Sequence, residues 1–202
     1  AKTIGTETAP ITTASDAQDS SFGSSVRNRE SAMSNMVAQM FKDTLGKDDS
    51  NFIGIQNPGG TRASLQSGEI TYKDAALVLP FANSLMTTKI TGEQFTQVLE
   101  EQWQHDEKGQ VPSRPFLSLG LSSNVSYTYD ENLPEGQRIT SVWVNGKPID
   151  PKTTYTVGSG SFLINGGDNF HTLAKGSRPV DTGKIDLDTW VCLLYTSPSP
   201  RD

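Results

Sequence analysis

The stretch Asn57-Pro58-Gly59-Gly60-Thr61-Arg62 follows the apolar run Phe52-Ile53-Gly54-Ile55-Gln56. A five-residue run with two β-branched isoleucines and a clear exit reads as a short buried strand. Two glycines after the exit let backbone approach a ligand or another chain segment closely. The single arginine behind them is unexplained by a turn alone, and a phosphate-binding loop of the P-loop type needs more glycines and a lysine.

Working outward, Met33, Met36, Val37, Met40 and Phe41 lie at i, i+3, i+4, i+7 and i+8, which predicts an amphipathic helix from about Glu30. Gly46 stands just beyond it, where a left-handed cap is expected. Residues 2–8 predict a strand and 9–25 a Ser/Thr/Asp-rich loop. Thr71 caps a short helix over YKDAALVL that Pro80 stops. SLMTTKIT reads as a strand. Thr91 and Gln94 form a capping-box pattern, with Phe95, Val98, Leu99 and Trp103 on one face of the next helix. After the polar loop HDEKGQVPSR come four strand-like runs, FLSLG, NVSYTYD, ITSVWVNG and TYTVGSGSF, with GKPIDP as a turn. A final helix is expected near Asn169. Strands and helices in separated runs predict one α+β domain, a mixed sheet flanked by helices.

The 202 residues suffice for one such domain. No run reaches the ~18–20 apolar residues of a membrane span. A net charge of −6 argues against general nucleic-acid or anionic-membrane binding, but it allows a local anion pocket. Cys192 is the only cysteine, which excludes an internal disulfide and a cysteine zinc cluster. The abrupt start, AKTIGTET, reads as the interior of a longer polypeptide. The Ser/Pro-rich end from Cys192, CLLYTSPSPRD, reads as a disordered or non-native tail over 192–202.

Metal and nucleophile chemistry have weak signals. His105 and His171 are far apart and in no ligand spacing, and GSGSF at 158–162 does not complete a G-x-S-x-G elbow. Anion recognition has a better one. Arg27 and Arg29 precede the first long helix, whose N-terminus favours negative groups, and Arg62 follows the Gly-Gly exit. A guanidinium can hold a phosphate through two parallel hydrogen bonds. Phe81, in LPFAN at 79–83, and Phe162, in FLINGGD at 162–168, stand at the exits of ordered runs beside small or polar residues. Two such rings could sandwich a planar base, with Asn83 and Asp168 supplying edge hydrogen bonds. Taken singly, each arginine also fits an ordinary surface residue, and each phenylalanine a core residue.

Four motifs in order carry a resemblance. VRNRESAMSN at 26–35, NPGGTR with ASLQSGEITYKDAALVLPFAN, ITGEQFTQVLEE and SFLINGGDNF together resemble the C-terminal domain of the 5′-nucleotidases. These are secreted metallophosphoesterases acting on nucleoside monophosphates and their relatives. The similarity covers about residues 25–190. It implies that Arg27, Asn57 and Arg62 bind the substrate phosphate and that Phe81 and Phe162 clamp the base. It further implies that Asn83 and Asp168 contact base and ribose, and that the Gly120 backbone lines the pocket. Arg29 is assigned a structural or secondary role. Pro58 and Thr61 depart from the family, which commonly has Gly and an aliphatic residue there.

The resemblance also implies that catalysis belongs elsewhere. The family's two divalent metal ions and catalytic histidine sit in an N-terminal metallophosphoesterase domain, from which residues 1–24 would enter. No cofactor and no catalytic residue is therefore expected in this chain, which would supply orientation rather than bond-breaking groups. An extracellular, periplasmic or cell-wall location follows from the same likeness. Two other readings share these motifs: a 2′,3′-cyclic-nucleotide phosphodiesterase with 3′-nucleotidase activity, and a non-catalytic nucleotide-binding module.

Overall fold

The computed structural model describes residues 2–14 and 26–196. The elements run β1 (Thr3–Glu7), α1 (Ala32–Leu45), β2 (Phe52–Gln56), β3 (Gly68–Thr71), α2 (Tyr72–Val78), β4 (Ser84–Thr91) and α3 (Gly92–Glu100). They continue with β5 (Gly120–Leu121), β6 (Val125–Tyr129), β7 (Ile139–Val144), β8 (Lys147–Pro148), β9 (Thr154–Gly160), α4 (Ser161–Ile164), β10 (Ser177–Ile185) and α5 (Asp186–Thr196).

The central sheet has the order β10-β4-β9-β2-β5. β2 pairs with β9 in parallel, whereas β4 runs antiparallel to β9 and β10 antiparallel to β4. β2 is buried on both faces, as its apolar run requires. Ile53 and Ile55 face a core shared with Val98, Leu99, Val142 and Phe170. On the other face Gly54 lets α1 pack directly on the sheet, since a Cβ there would lie 2.0 Å from the Ala38 carbonyl oxygen. That side forms a second core from α1, α2, α5 and β1, with Phe41 and Trp190 fully buried. The mixed sheet flanked by helices is thus the architecture of this chain.

Local chemistry sets several element ends. Ser31 caps α1 by accepting from Ser34 N–H, and complete capping boxes start α2 (Thr71 with Asp74) and α3 (Thr91 with Gln94). Gly46 differs from expectation. Its φ of −130° is not left-handed, and glycine is needed there because a Cβ would lie 2.0 Å from Cγ of Phe52.

Other expectations are corrected by packing. α3 ends at Glu100, and Trp103 lies beyond it, bridged to Phe116 and stacked edge-on at 5.0 Å. Of FLSLG only Gly120 joins a strand, the two-residue β5. No helix starts at Asn169: single 3-10 turns occupy Gly167–Asn169 and Leu173–Lys175, and the last helix begins at Asp186. β1 pairs with β3 and lies so close to α5 that a Cβ on Gly5 would sit 2.6 Å from the Leu194 carbonyl oxygen. α5 continues past the expected tail boundary at 192 to Thr196, and Leu194 is buried against the second core. Most of the 9–25 loop and the end of the tail lie outside the described residues.

Candidate functional site: an arginine and phenylalanine cleft

Sheet direction assembles the site. β2 and β9 are parallel, so their C-terminal ends reach the same sheet edge. β4 is antiparallel to β9, which brings its N-terminal end there too, with Leu85 opposite Gly160. The segments 57–62, 81–83 and 161–168 therefore meet outside the carboxyl ends of the parallel strands, where open α/β sheets commonly bind ligands. Arg27 joins them because its carbonyl accepts from Ser118 N–H at 2.8 Å, fixing the approach to α1.

The result is one cleft of about 330 Å³ lined by Arg27, Asn57, Gly59, Gly60, Arg62, Phe81, Asn83, Phe162 and Asp168. Its size is within the usual range for small-molecule sites. Phe81 is 58% and Phe162 49% exposed, so neither ring is a core residue. The two rings and the two arginines border one shared space.

The glycines that opened the sequence question have distinct tasks. Pro58–Gly60 form a 3-10 turn, with proline at a position that needs no N–H donor. A Cβ on Gly59 would lie 2.9 Å from Arg27 Nη1, and one on Gly60 would lie 2.8 Å from Gln56 Nε2 and 2.9 Å from Asn57 Oδ1. Glycine thus leaves room for a guanidinium and two amides. Thr61 also becomes intelligible: it is buried, and its hydroxyl accepts from Gln56 Nε2 at 3.1 Å. Arg62 is exposed, while its N–H is anchored to the Val78 carbonyl at 2.9 Å.

Across the cleft, Asn57 Nδ2 donates to Asp168 Oδ2 at 2.9 Å. Asp168 has φ 54° and Asn169 φ 58°, a left-handed pair that Asp and Asn tolerate. Ala82, between Phe81 and Asn83, has φ 52°, which costs an alanine roughly 1–2 kcal/mol. Strain of this kind gathers at binding sites, where the surroundings hold it in place. Burial lowers the Arg27 pKa first, and the fields of Arg114 and Arg62 lower it further, against a small opposing effect of Asp168. Crowded like charges with one carboxylate among them favour an incoming anion.

Sequence reasoning does not single out Arg114. It ends a polar loop far along the chain and reaches Arg27 only through space, so no local pattern marks it. Asp186 escapes it as well: this residue is 4% exposed at the start of α5, and its N–H donates to the Asn83 carbonyl at 2.9 Å. Two sequence candidates lie elsewhere. Gly120 is not among the lining residues. It is a buried strand residue whose Cβ would strike the Ser34 backbone at 2.4 Å, so it serves α1 packing. Arg29 is exposed and does not line the cleft. His105 and His171 share a separate concavity with Glu101 and Trp103, where His171 Nε2 meets the His105 carbonyl at 2.9 Å. Ser161 donates to Asn83 Oδ1 at 3.4 Å. Among the described residues no group of three or more His, Cys, Asp or Glu is placed to hold a metal ion.

A profile of the 5′-nucleotidase C-terminal domain matches residues 5–175. The chain belongs to that family. The NAD 5′-nucleotidase of Haemophilus influenzae is 35% identical over 158 residues, covering 72% of this chain and 26% of that protein. The apyrase of Tabanus yao is 29% identical over 155 residues, covering 72% of this chain and 27% of that protein. The crystal structure of a 5′-nucleotidase precursor from Thermus thermophilus superposes with a TM-score of 0.77 at 28% identity, covering 96% of this chain and 36% of that one. This chain thus spans about a quarter to a third of the length of these three proteins.

Proposed function

We propose that this 5′-nucleotidase C-terminal domain is the substrate-recognition part of an enzyme that hydrolyses nucleoside monophosphates to nucleoside and phosphate. The observation that carries the reading is the single cleft with two half-exposed phenylalanines and two arginines. Phe81 and Phe162 sandwich the base. Arg27 and Arg62 take the phosphate, with Asn57 adding an amide donor and Asp168 receiving ribose hydroxyls. The printed names of the relatives, a NAD 5′-nucleotidase and an apyrase, support nucleotides as the substrate class.

The described residues do not fit the family's metal pair, so no step of phosphate cleavage is assigned to them. Their work is orientation, which converts an encounter into a reactive geometry without supplying the nucleophile. An N-terminal metallophosphoesterase domain with two divalent ions would supply the chemistry. An extracellular or periplasmic location goes with this reading. No described helix is long and apolar enough to cross a membrane.

The test has two parts. The 202-residue chain should release no phosphate from adenosine monophosphate, with or without divalent metals. Sustained hydrolysis by chain free of contaminating phosphatase would refute the division of labour. Phe162→Ala should weaken adenosine monophosphate binding by ~1–3 kcal/mol while leaving inorganic phosphate binding nearly unchanged. Equal losses on both probes would return the ring to a supporting role.

A further inference from the structure

The concavity that holds the two histidines has a volume of about 350 Å³ and shares no lining residue with the phenylalanine cleft. It lies at the C-terminal end of α3, where Glu100 is the last helical residue and Glu101 the cap. Two adjacent carboxylates there stand against the helix dipole, which favours cations at that end. Glu135, from the loop before β7, lines the same space.

Glu100 is 6% exposed, and only one of its oxygens is partnered. Oε1 accepts from Ile139 N–H at 2.6 Å, whereas Oε2 is buried with no hydrogen-bond partner among the described residues. An unpaired buried acceptor is costly, and a charged one more so. Glu101 accepts from the Thr172 N–H, at 3.2 Å and 3.3 Å to its two oxygens. Burial raises its carboxyl above the ordinary value, outweighing those bonds and the fields of His171 and Lys175. A cation inside the cavity would supply the counter-charge that both carboxylates lack.

The rest of the wall also suits a donor. His105 Nε2 faces Glu135 Oε2 at 3.1 Å, and His171 Nε2 faces the His105 carbonyl at 2.9 Å. Each of these N–H groups is thus spent on a protein acceptor, and in neutral rings the remaining Nδ1 atoms accept. No His, Cys, Asp or Glu cluster among the described residues is placed to hold a metal ion. An ammonium group carries three donors that can reach separate acceptors, and Trp103 offers an apolar wall to its stem.

We propose that this cavity is a second ligand site, taking a small organic cation whose primary ammonium group is held by Glu100 and Glu101. The site is independent of the nucleotide reading. The contrasting role for Glu100 is a tether of β7 through Ile139, with no ligand involved.

Glu100→Gln separates the two roles, because glutamine keeps an acceptor for Ile139 N–H and nearly the same size but loses the charge. Glu101→Gln is made in parallel. Near neutral pH, the whole chain is titrated with n-butylamine, with the uncharged n-butanol and with magnesium chloride. The resonances of Ile139 N–H, Thr172 N–H and the Trp103 indole N–H are followed. Butylamine should move them saturably, and neither butanol nor magnesium should. Each variant should bind butylamine roughly tenfold or more weakly, as expected for losing a hydrogen bond to a charged group. Inorganic phosphate affinity should stay unchanged.

Absence of saturable shifts with butylamine would overturn the proposal, as would equal binding of butanol, which would make the cavity merely apolar. Magnesium reproducing the butylamine shifts would show a general cation site and refute the ammonium assignment. Wild-type butylamine affinity in both variants would leave Glu100 as a tether only. If Glu100→Gln does not fold, Glu101→Gln decides alone: weakened butylamine binding supports the site, and wild-type affinity refutes it.

Discussion

Gly59→Ala isolates the reason for the Gly-Gly exit. The backbone at 59 is not left-handed, so alanine fits it without strain. Alanine also restricts the unfolded chain, a gain of ~0.4–1 kcal/mol where the native conformation is permitted. Against this, the new methyl would stand 2.9 Å from Arg27 Nη1 and 3.1 Å from Cζ. Carbon contacts settle at ~3.5–4.0 Å, so the guanidinium must retreat by roughly half an ångström or more. It is the far end of a flexible side chain and can do so cheaply. Folding stability should therefore stay within about 1 kcal/mol of wild type.

Binding should not escape. A hydrogen bond to a charged group contributes ~1.5–3 kcal/mol, and a displaced guanidinium loses most of the geometry of one such bond. The expected loss of inorganic phosphate affinity is roughly ten- to a hundredfold. Calorimetric titration with phosphate, beside thermal unfolding, measures both quantities on one sample. Unchanged affinity at unchanged stability would refute the assignment of Arg27 to the anion. A large drop in stability would show that the turn, rather than the guanidinium, requires the glycine.

Two further outcomes follow from packing and charge. Gly46→Ala places a methyl 2.0 Å from Cγ of the buried Phe52, so overpacking should cost ~1–3 kcal/mol or more and lower Tm by several degrees; an unchanged Tm would mean that the ring has free space behind it. Burial raises the Glu101 carboxyl above its ordinary value, against bonds from Thr172 that act the other way. The folded state then takes up a proton more readily than the unfolded state, so this group favours folding at low pH and loses that contribution as pH rises through its raised value. Glu101→Gln should accordingly gain in Tm relative to wild type near pH 7, and the gain should shrink as pH falls toward 4.5. A gain that grows on acidification would reverse the sign.

Much of the site was written locally. FIGIQ announces a buried strand through its apolar run, and capping boxes at Thr71 and Thr91 depend on neighbours three residues away. The motif order from Arg27 to Asp168 also marks the cleft residues, because each motif holds its side chain in a short segment. Tertiary structure decided what spacing along the chain does not encode. Parallel β2 and β9 with antiparallel β4 bring residues 57, 83 and 162 to one edge. Gly46 and Gly120 are glycines for the sake of Phe52 and the Ser34 backbone, partners that only packing identifies. Arg114 acts on Arg27 through space, and electric fields depend on distance in the fold rather than on separation along the chain.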